Sequence, residues 1–152
     1  MEVSRNFDLL DRYKNQFLKD EALVAKRDGK WMSFSSEQYI RNSYLVSYGL
    51  LALGLKKGDK IVSVSNNRPE WNFLDMGMAM AGIIHVPVFP SLNETEYKYV
   101  SEHSDARLVF VSDQKLYEKI QPVVSSIEGI MEVYTFDKVD GAKNWEEILK
   151  LG

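Results

Sequence analysis

The sequence predicts an α/β fold, a three-layer arrangement in which helices cover both faces of a mainly parallel sheet. Two observations carry that reading. Four short apolar runs, Ile61-Val62-Ser63-Val64, Ile83-Ile84-His85-Val86, Leu108-Val109-Phe110-Val111 and Met131-Glu132-Val133-Tyr134, begin roughly 23 residues apart, room for one strand and one helix each. Three of them lack strict apolar-polar alternation, as strands buried on both faces do.

In chain order, Phe7, Leu10, Tyr13 or Lys14 and Phe17 fall at helical spacing within a 1–20 segment, predicting a short amphipathic helix whose apolar face must be covered. Segment 21–34 reads as a hairpin at one edge of the sheet: Ala22 to Lys26 and Trp31 to Phe34 flank Arg27-Asp28-Gly29-Lys30, and Asp-Gly is a strong tight-turn signal. The βα units occupy 35–152. Ser35 and Gln38 form a capping box before Ile40, Tyr44, Tyr48, Leu51 and Leu55, which recur at helical intervals until Gly58-Asp59 turns the chain. Asn67 is the expected cap of the next helix, with Pro69 in its first turn and Gly77, Ala79, Ala81 and Gly82 as a small-residue face for packing on the sheet. Asn93 and Glu96 start another helix that leaves through His103-Ser104-Asp105. A fourth follows Ser112-Asp113 and is ended or kinked by Pro122. Pro87 fits best at a strand end or edge. Trp145, Ile148 and Leu149 suggest one or two last helical turns after Asp140-Gly141.

Composition bounds the function. At 152 residues, 45% hydrophobic and 27% charged, the chain suits one compact domain. A net charge of -3 argues against a nucleic-acid surface, and zero cysteines exclude disulfides, thiolate metal sites and a cysteine nucleophile. The start, Met1-Glu2-Val3-Ser4-Arg5, lacks the plan of a signal peptide, so a cytoplasmic location is expected. Phe73 to Phe89 is the most apolar window, but Asp75, His85 and Pro87 interrupt it and it is shorter than the roughly 20 residues of a membrane span.

Few residues point to chemistry. Gly49 and Gly54 have the four-residue interval of a phosphate loop, but Leu55 and Lys56 follow where Lys and Ser or Thr are needed. His85 and His103 lie apart from other metal-ligating types; the first reads as a hydrogen-bonded strand residue, the second as a cation at a helix end. Glu94 and Glu96 belong to a first helical turn, where acids complement the dipole. No Ser, His and Asp set assembles from sequence spacing. Asn67-Arg68-Pro69-Glu70-Trp71 is the densest unusual string: a cap, a rigid first turn, an ion pair and a large aromatic directly after a strand, where a ligand could meet it.

Three strings in order resemble the start of the adenylate-forming acyl-CoA synthetases, the AMP-binding family. They are Leu53-Gly54-Leu55-Lys56-Lys57-Gly58-Asp59-Lys60-Ile61, then Asn67-Arg68-Pro69-Glu70-Trp71, then Ala81-Gly82-Ile83-Ile84-His85-Val86-Pro87-Val88-Phe89-Pro90. The Asn-Arg-Pro-Glu-Trp form is most like the long-chain fatty acid-CoA ligases. The resemblance runs from the hairpin around Gly29 to Trp145-Glu146-Glu147-Ile148; relatives usually carry Thr-Tyr where Ser33-Phe34 stands. It implies a partial N-terminal subdomain of an enzyme that uses ATP and Mg2+ to make an acyl-adenylate from a fatty acid, then passes the acyl group to CoA. The family's Ser/Thr/Gly-rich phosphate loop ending in Pro-Lys-Gly has no counterpart here, nor have its adenine, ribose and catalytic-lysine motifs. The expectation is therefore no catalytic, cofactor-binding or metal residue within this chain, no cofactor bound by it, and no activity from it alone. Fatty acid, ATP and CoA would be partners of the longer parent, which could sit peripherally on a membrane. Incompletely covered apolar surface predicts a homodimer. Two rival readings are a non-catalytic binding or interaction module on the same scaffold, and a flavodoxin-like nucleotide binder.

Overall fold

A computed structural model describes residues 3–152; the part of the leader reading that rests on Met1 and Glu2 lies outside it. Thirteen elements follow in order among the described residues. Helix α1 (Asp8–Gln16) precedes the hairpin β1 (Leu23–Arg27) and β2 (Lys30–Phe34). Then come α2 (Ser36–Ala52), β3 (Lys60–Val64), α3 (Pro69–Ala81), β4 (Ile84–Val88) and α4 (Glu94–His103). The chain ends with β5 (Ala106–Val111), α5 (Gln114–Val124), β6 (Glu132–Thr135), β7 (Lys143–Asn144) and α6 (Glu146–Leu151).

The five strands from β3 onward form one parallel sheet in the order β4-β3-β5-β6-β7. Successive side chains on a strand point to opposite faces, and the core divides accordingly. Ile61, Leu108, Phe110 and Tyr134 pack with Leu50, Phe73, Leu74, Met78 and Ile148 beneath α2, α3 and α6. Val62, Val64, Val109, Val111 and Val133 pack with Tyr97, Leu116, Ile120 and Val124 beneath α4 and α5. Helix-sheet-helix layering follows, as the apolar runs predict. Full burial of each large side chain is worth roughly 1.5–3 kcal/mol.

Local chemistry sets most element ends. Ser35 accepts from the Gln38 N–H while the Gln38 side chain accepts from the Ser35 N–H, and Asn93 with Glu96 does the same for α4. Asp28 and Gly29 both take positive φ, 50° and 78°, the geometry that turns a two-residue hairpin.

Several expectations need correction. The hairpin is a separate two-stranded sheet, not an edge of the parallel one; Leu23 and Phe34 pack inward on the α2–α3 core. Arg68, not Asn67, stands at the N-cap position of α3, because Pro69 already occupies the first helical position, and the Arg68 side chain makes no capping hydrogen bond. Helix α5 continues two residues beyond Pro122 to Val124. In α2, Tyr44, Tyr48 and Leu51 face outward, while Tyr39, Ser43, Val46, Ser47, Gly49 and Leu50 are buried. Small residues decide this. A Cβ on Gly49 would lie 2.0 Å from the Ile148 carbonyl oxygen, and one on Gly77 would lie 2.5 Å from Val46 Cγ1. Gly77, from the small-residue face of α3, thus closes on α2 rather than on the sheet.

Candidate functional site

In open α/β sheets ligands gather at the carboxyl ends of the strands, at the point where the strand order reverses. Here that point lies between β3 and β5, since α3 leaves β3 toward one face and α5 leaves β5 toward the other. The crevice is filled by the protein's own polar groups. Asn66 donates from its backbone N–H to Ser112 Oγ at 3.3 Å and from Nδ2 to Asp113 Oδ2 at 3.1 Å. Arg68 donates from Nη1 to the Ser112 carbonyl (2.7 Å), from Nη2 to Asp137 Oδ1 (2.9 Å) and from Nε to Glu70 Oε2 (3.0 Å), and its guanidinium lies 5.1 Å from the centroid of the Phe136 ring. Glu70, buried, also accepts from Arg27 Nη2 at 2.5 Å, which fastens the hairpin to α3. Burial works to raise the Glu70 pKa, but hydrogen bonds from Arg68 and Arg27 and the Arg68 charge outweigh it, holding the carboxyl below its ordinary value. Burial likewise works against the Arg68 charge; Glu70 and then Asp137 overcome it and raise the pKa.

One strand over, the carboxyl ends of β3 and β4 enclose an open cavity of about 720 Å3. Ser65, Asn66, Asn67, Arg68, Trp71 and Asn72 line one side; Pro87, Val88, Phe89 and Pro90 line the other. Behind Trp71 runs a chain of hydrogen bonds: Trp71 Nε1 donates to Ser63 Oγ (3.1 Å), Ser63 Oγ and His85 Nε2 are 2.7 Å apart, and His85 Nδ1 and Asp75 Oδ1 are 2.7 Å apart. With His85 neutral and protonated on Nδ1, every donor in that chain meets an acceptor. The His85 and Trp71 rings also lie 4.9 Å apart between centroids.

Spacing alone did not reveal this Ser63, His85 and Asp75 set, yet nucleophilic chemistry does not follow from it. A catalytic serine must meet its substrate; Ser63 is 1% exposed and already holds the Trp71 indole. The hydrogen-bonded strand reading of His85 stands. The other candidates scatter. Gly49 lies inside α2 against Ile148, and Gly54 takes positive φ in the turn that follows. His103 ends α4 stacked on Tyr99 at 5.4 Å, Glu96 is consumed by the Asn93 cap, and Glu94 opens the same helix. No group of three or more metal-ligating side chains occurs among the described residues. Sequence reasoning missed Asp75, Ser112 and Asp137. Ser63 and His85 were detectable as lone polar residues in otherwise apolar strands, each needing a partner.

Fold, sheet order and sequence together define the class: the chain belongs to the AMP-binding enzyme family, whose model matches residues 10–150. Among its relatives, the long-chain-fatty-acid–CoA ligase ACSBG1 of Mus musculus is 28% identical over 151 residues, covering 96% of this chain and 20% of that protein. The fatty acyl-CoA synthetase A of Dictyostelium discoideum is 32% identical over 125 residues, covering 76% of this chain and 18% of that one. The chain thus spans about a fifth of the length of these relatives. Of solved structures, the anthranilate CoA ligase AuaEII with anthranoyl-AMP has a TM-score of 0.78 at 18% identity, over 96% of this chain and 28% of that one. A benzoate CoA ligase from Burkholderia xenovorans also scores 0.78, at 19% identity over 97% of this chain and 28% of that one. These likenesses show the fold, and they show it as part of a larger one.

Proposed function

We propose that this chain is the N-terminal portion of a long-chain fatty acid–CoA ligase. In the parent reaction a fatty acid carboxylate oxygen attacks the α-phosphorus of ATP and pyrophosphate leaves. The thiol of CoA then displaces AMP from the acyl-adenylate, giving the thioester and releasing a proton. The single observation that supports this reading is the family match over residues 10–150, joined to long-chain fatty acid relatives that align with nearly all of the chain.

The chain's own part is architectural. ATP with Mg2+ does not fit the residues described: the strand-order crevice is occupied, and Arg68, the one cation lining the neighbouring cavity, is committed to Glu70, Asp137 and a carbonyl. On this reading the phosphate-gripping loop, the metal and the catalytic lysine belong to the parent outside this segment, and no catalytic residue is assigned to the segment itself. The purified 152-residue chain should give no ATP–pyrophosphate exchange with palmitate; exchange that survives removal of contaminating ligases overturns this. The complete gene product should convert palmitate, ATP and CoA to palmitoyl-CoA, AMP and pyrophosphate, and failure to form that thioester from any long-chain acid overturns the parentage.

The alternative, a non-catalytic interaction module, draws on the outward row Tyr44, Tyr48 and Leu51, with Tyr48 54% exposed. On that face a second copy would make a homodimer. A strictly monomeric sedimentation profile at high concentration removes the homodimer.

A further inference from the structure

We infer that the cavity at the carboxyl ends of β3 and β4 is a binding site for a small, flat, uncharged ring bearing a carboxamide. The inference does not depend on the parent's activity. At about 720 Å3 the cavity has the size of small-molecule sites. The one charge in its lining, on Arg68, is already balanced by Glu70 and Asp137, and the guanidinium also donates to the Ser112 carbonyl. A carboxylate or phosphate would be desolvated there without a cation to receive it, whereas a neutral amide would not carry that cost.

What the lining does offer is carboxamide chemistry. Asn66 and Asn72 use their Nδ2 groups on protein acceptors, leaving each Oδ1 without a donor among the described residues; Asn67 has neither end engaged. Two acceptors beside a group that both donates and accepts match an amide's N–H2 and C=O. The apolar walls suit a ring. Trp71 comes from α3 and cannot swing away, since Ser63 holds its N–H and His85 lies against it. Phe89 comes from the segment after β4 and is 78% exposed, a large aromatic at a cavity mouth with little of the protein covering it. Aromatic pairs gain from offset or edge contact beyond buried area.

Benzamide is the probe, added to the 15N-labelled 152-residue chain while the Trp71 indole N–H and the Asn67 side-chain amide are followed by NMR. Saturable shifts at both are expected in the millimolar range, the scale of so small a ligand. Benzoate, the same shape with a charge, should bind at least roughly tenfold more weakly. Asn67→Ala should weaken benzamide about fivefold or more while the melting temperature stays put, and Phe89→Ala should weaken it similarly. The inference is overturned if benzamide produces no saturable shift, if benzoate binds as well, or if the saturable shifts map away from Trp71 and Asn67.

Discussion

Two crevices lie one strand apart at the carboxyl edge of this sheet, and they are built from opposite materials. Between β3 and β5, charged groups meet one another: Arg68, Glu70 and Asp137, with Arg27 reaching in from the hairpin. Between β3 and β4, uncharged carboxamides and aromatic rings face open space. The same five residues, Asn67 to Trp71, supply both. Arg68 and Glu70 serve the filled crevice while Asn67 and Trp71 line the open one, so a string that looks like one motif performs two tasks. Charge that is already paired inside the protein holds loops together; it does not attract a ligand. Buried ion pairs of this kind add little net stability over an apolar substitute, but become costly when one member is removed.

That asymmetry makes Glu70→Ala the harshest test. It leaves Arg68, whose side chain is only 8% exposed, with the half-exposed Asp137 as its one acidic partner, and releases Arg27. A loss of about 3–5 kcal/mol in urea unfolding is expected; a loss of less than about 1 kcal/mol would mean that the filled crevice is held by packing alone. Acid sharpens the point. Because the folded Glu70 pKa lies below its ordinary 4.5, the unfolded chain binds more protons in the window between the two values. Stability from Glu70 is therefore complete above about pH 4.5 and is lost as pH falls through the folded-state value. Glu70→Gln has no such titration, so the stability gap between wild type and this variant should narrow as pH drops below that window; parallel pH curves would break the assignment.

How far these regions were legible in the sequence depended on how far apart their members lie. Ser35 with Gln38, Asn93 with Glu96 and the Asp28-Gly29 turn act within three residues, and a reader of the string can pair them. Arg68 meets Asp137 across 69 positions and Arg27 meets Glu70 across 43, contacts set by strand order and hairpin docking, which no spacing rule states. The same holds for Asp75 and His85, ten positions apart on a helix and a strand. Strand β7, two residues long, has no apolar run to announce it. The outward turn of Tyr44, Tyr48 and Leu51 was hidden for another reason. Ser43, Ser47 and Gly49 look like weak core residues, yet smallness is what lets neighbouring helices come close enough to claim that face.

An intermediate effect belongs to the support behind the open crevice. Asp75→Ala removes the acceptor for His85 Nδ1 at a position where the Asp75 side chain is 37% exposed, so about 1 kcal/mol is expected rather than the larger cost of the buried ion pair. The more telling readout is local: the Trp71 indole N–H resonance should shift and its exchange with solvent should quicken, because the hydrogen-bond chain that seats the indole has lost its terminal acceptor. An unmoved indole signal would mean that ring packing against His85 suffices.

The smallest effect is the most diagnostic of the difference between the two crevices. Asn67 is exposed, caps no helix and makes no hydrogen bond to another described residue, so Asn67→Ala should change unfolding free energy by less than about 0.5 kcal/mol. Arg68, its immediate neighbour, is tied to Glu70, Asp137 and the Ser112 carbonyl. Should thermal unfolding of Asn67→Ala instead show a loss comparable to Glu70→Ala, the open side would be part of the same structural clasp, and the division between a wall that holds the sheet and a wall that waits for a ligand would fail at the residue where it is drawn.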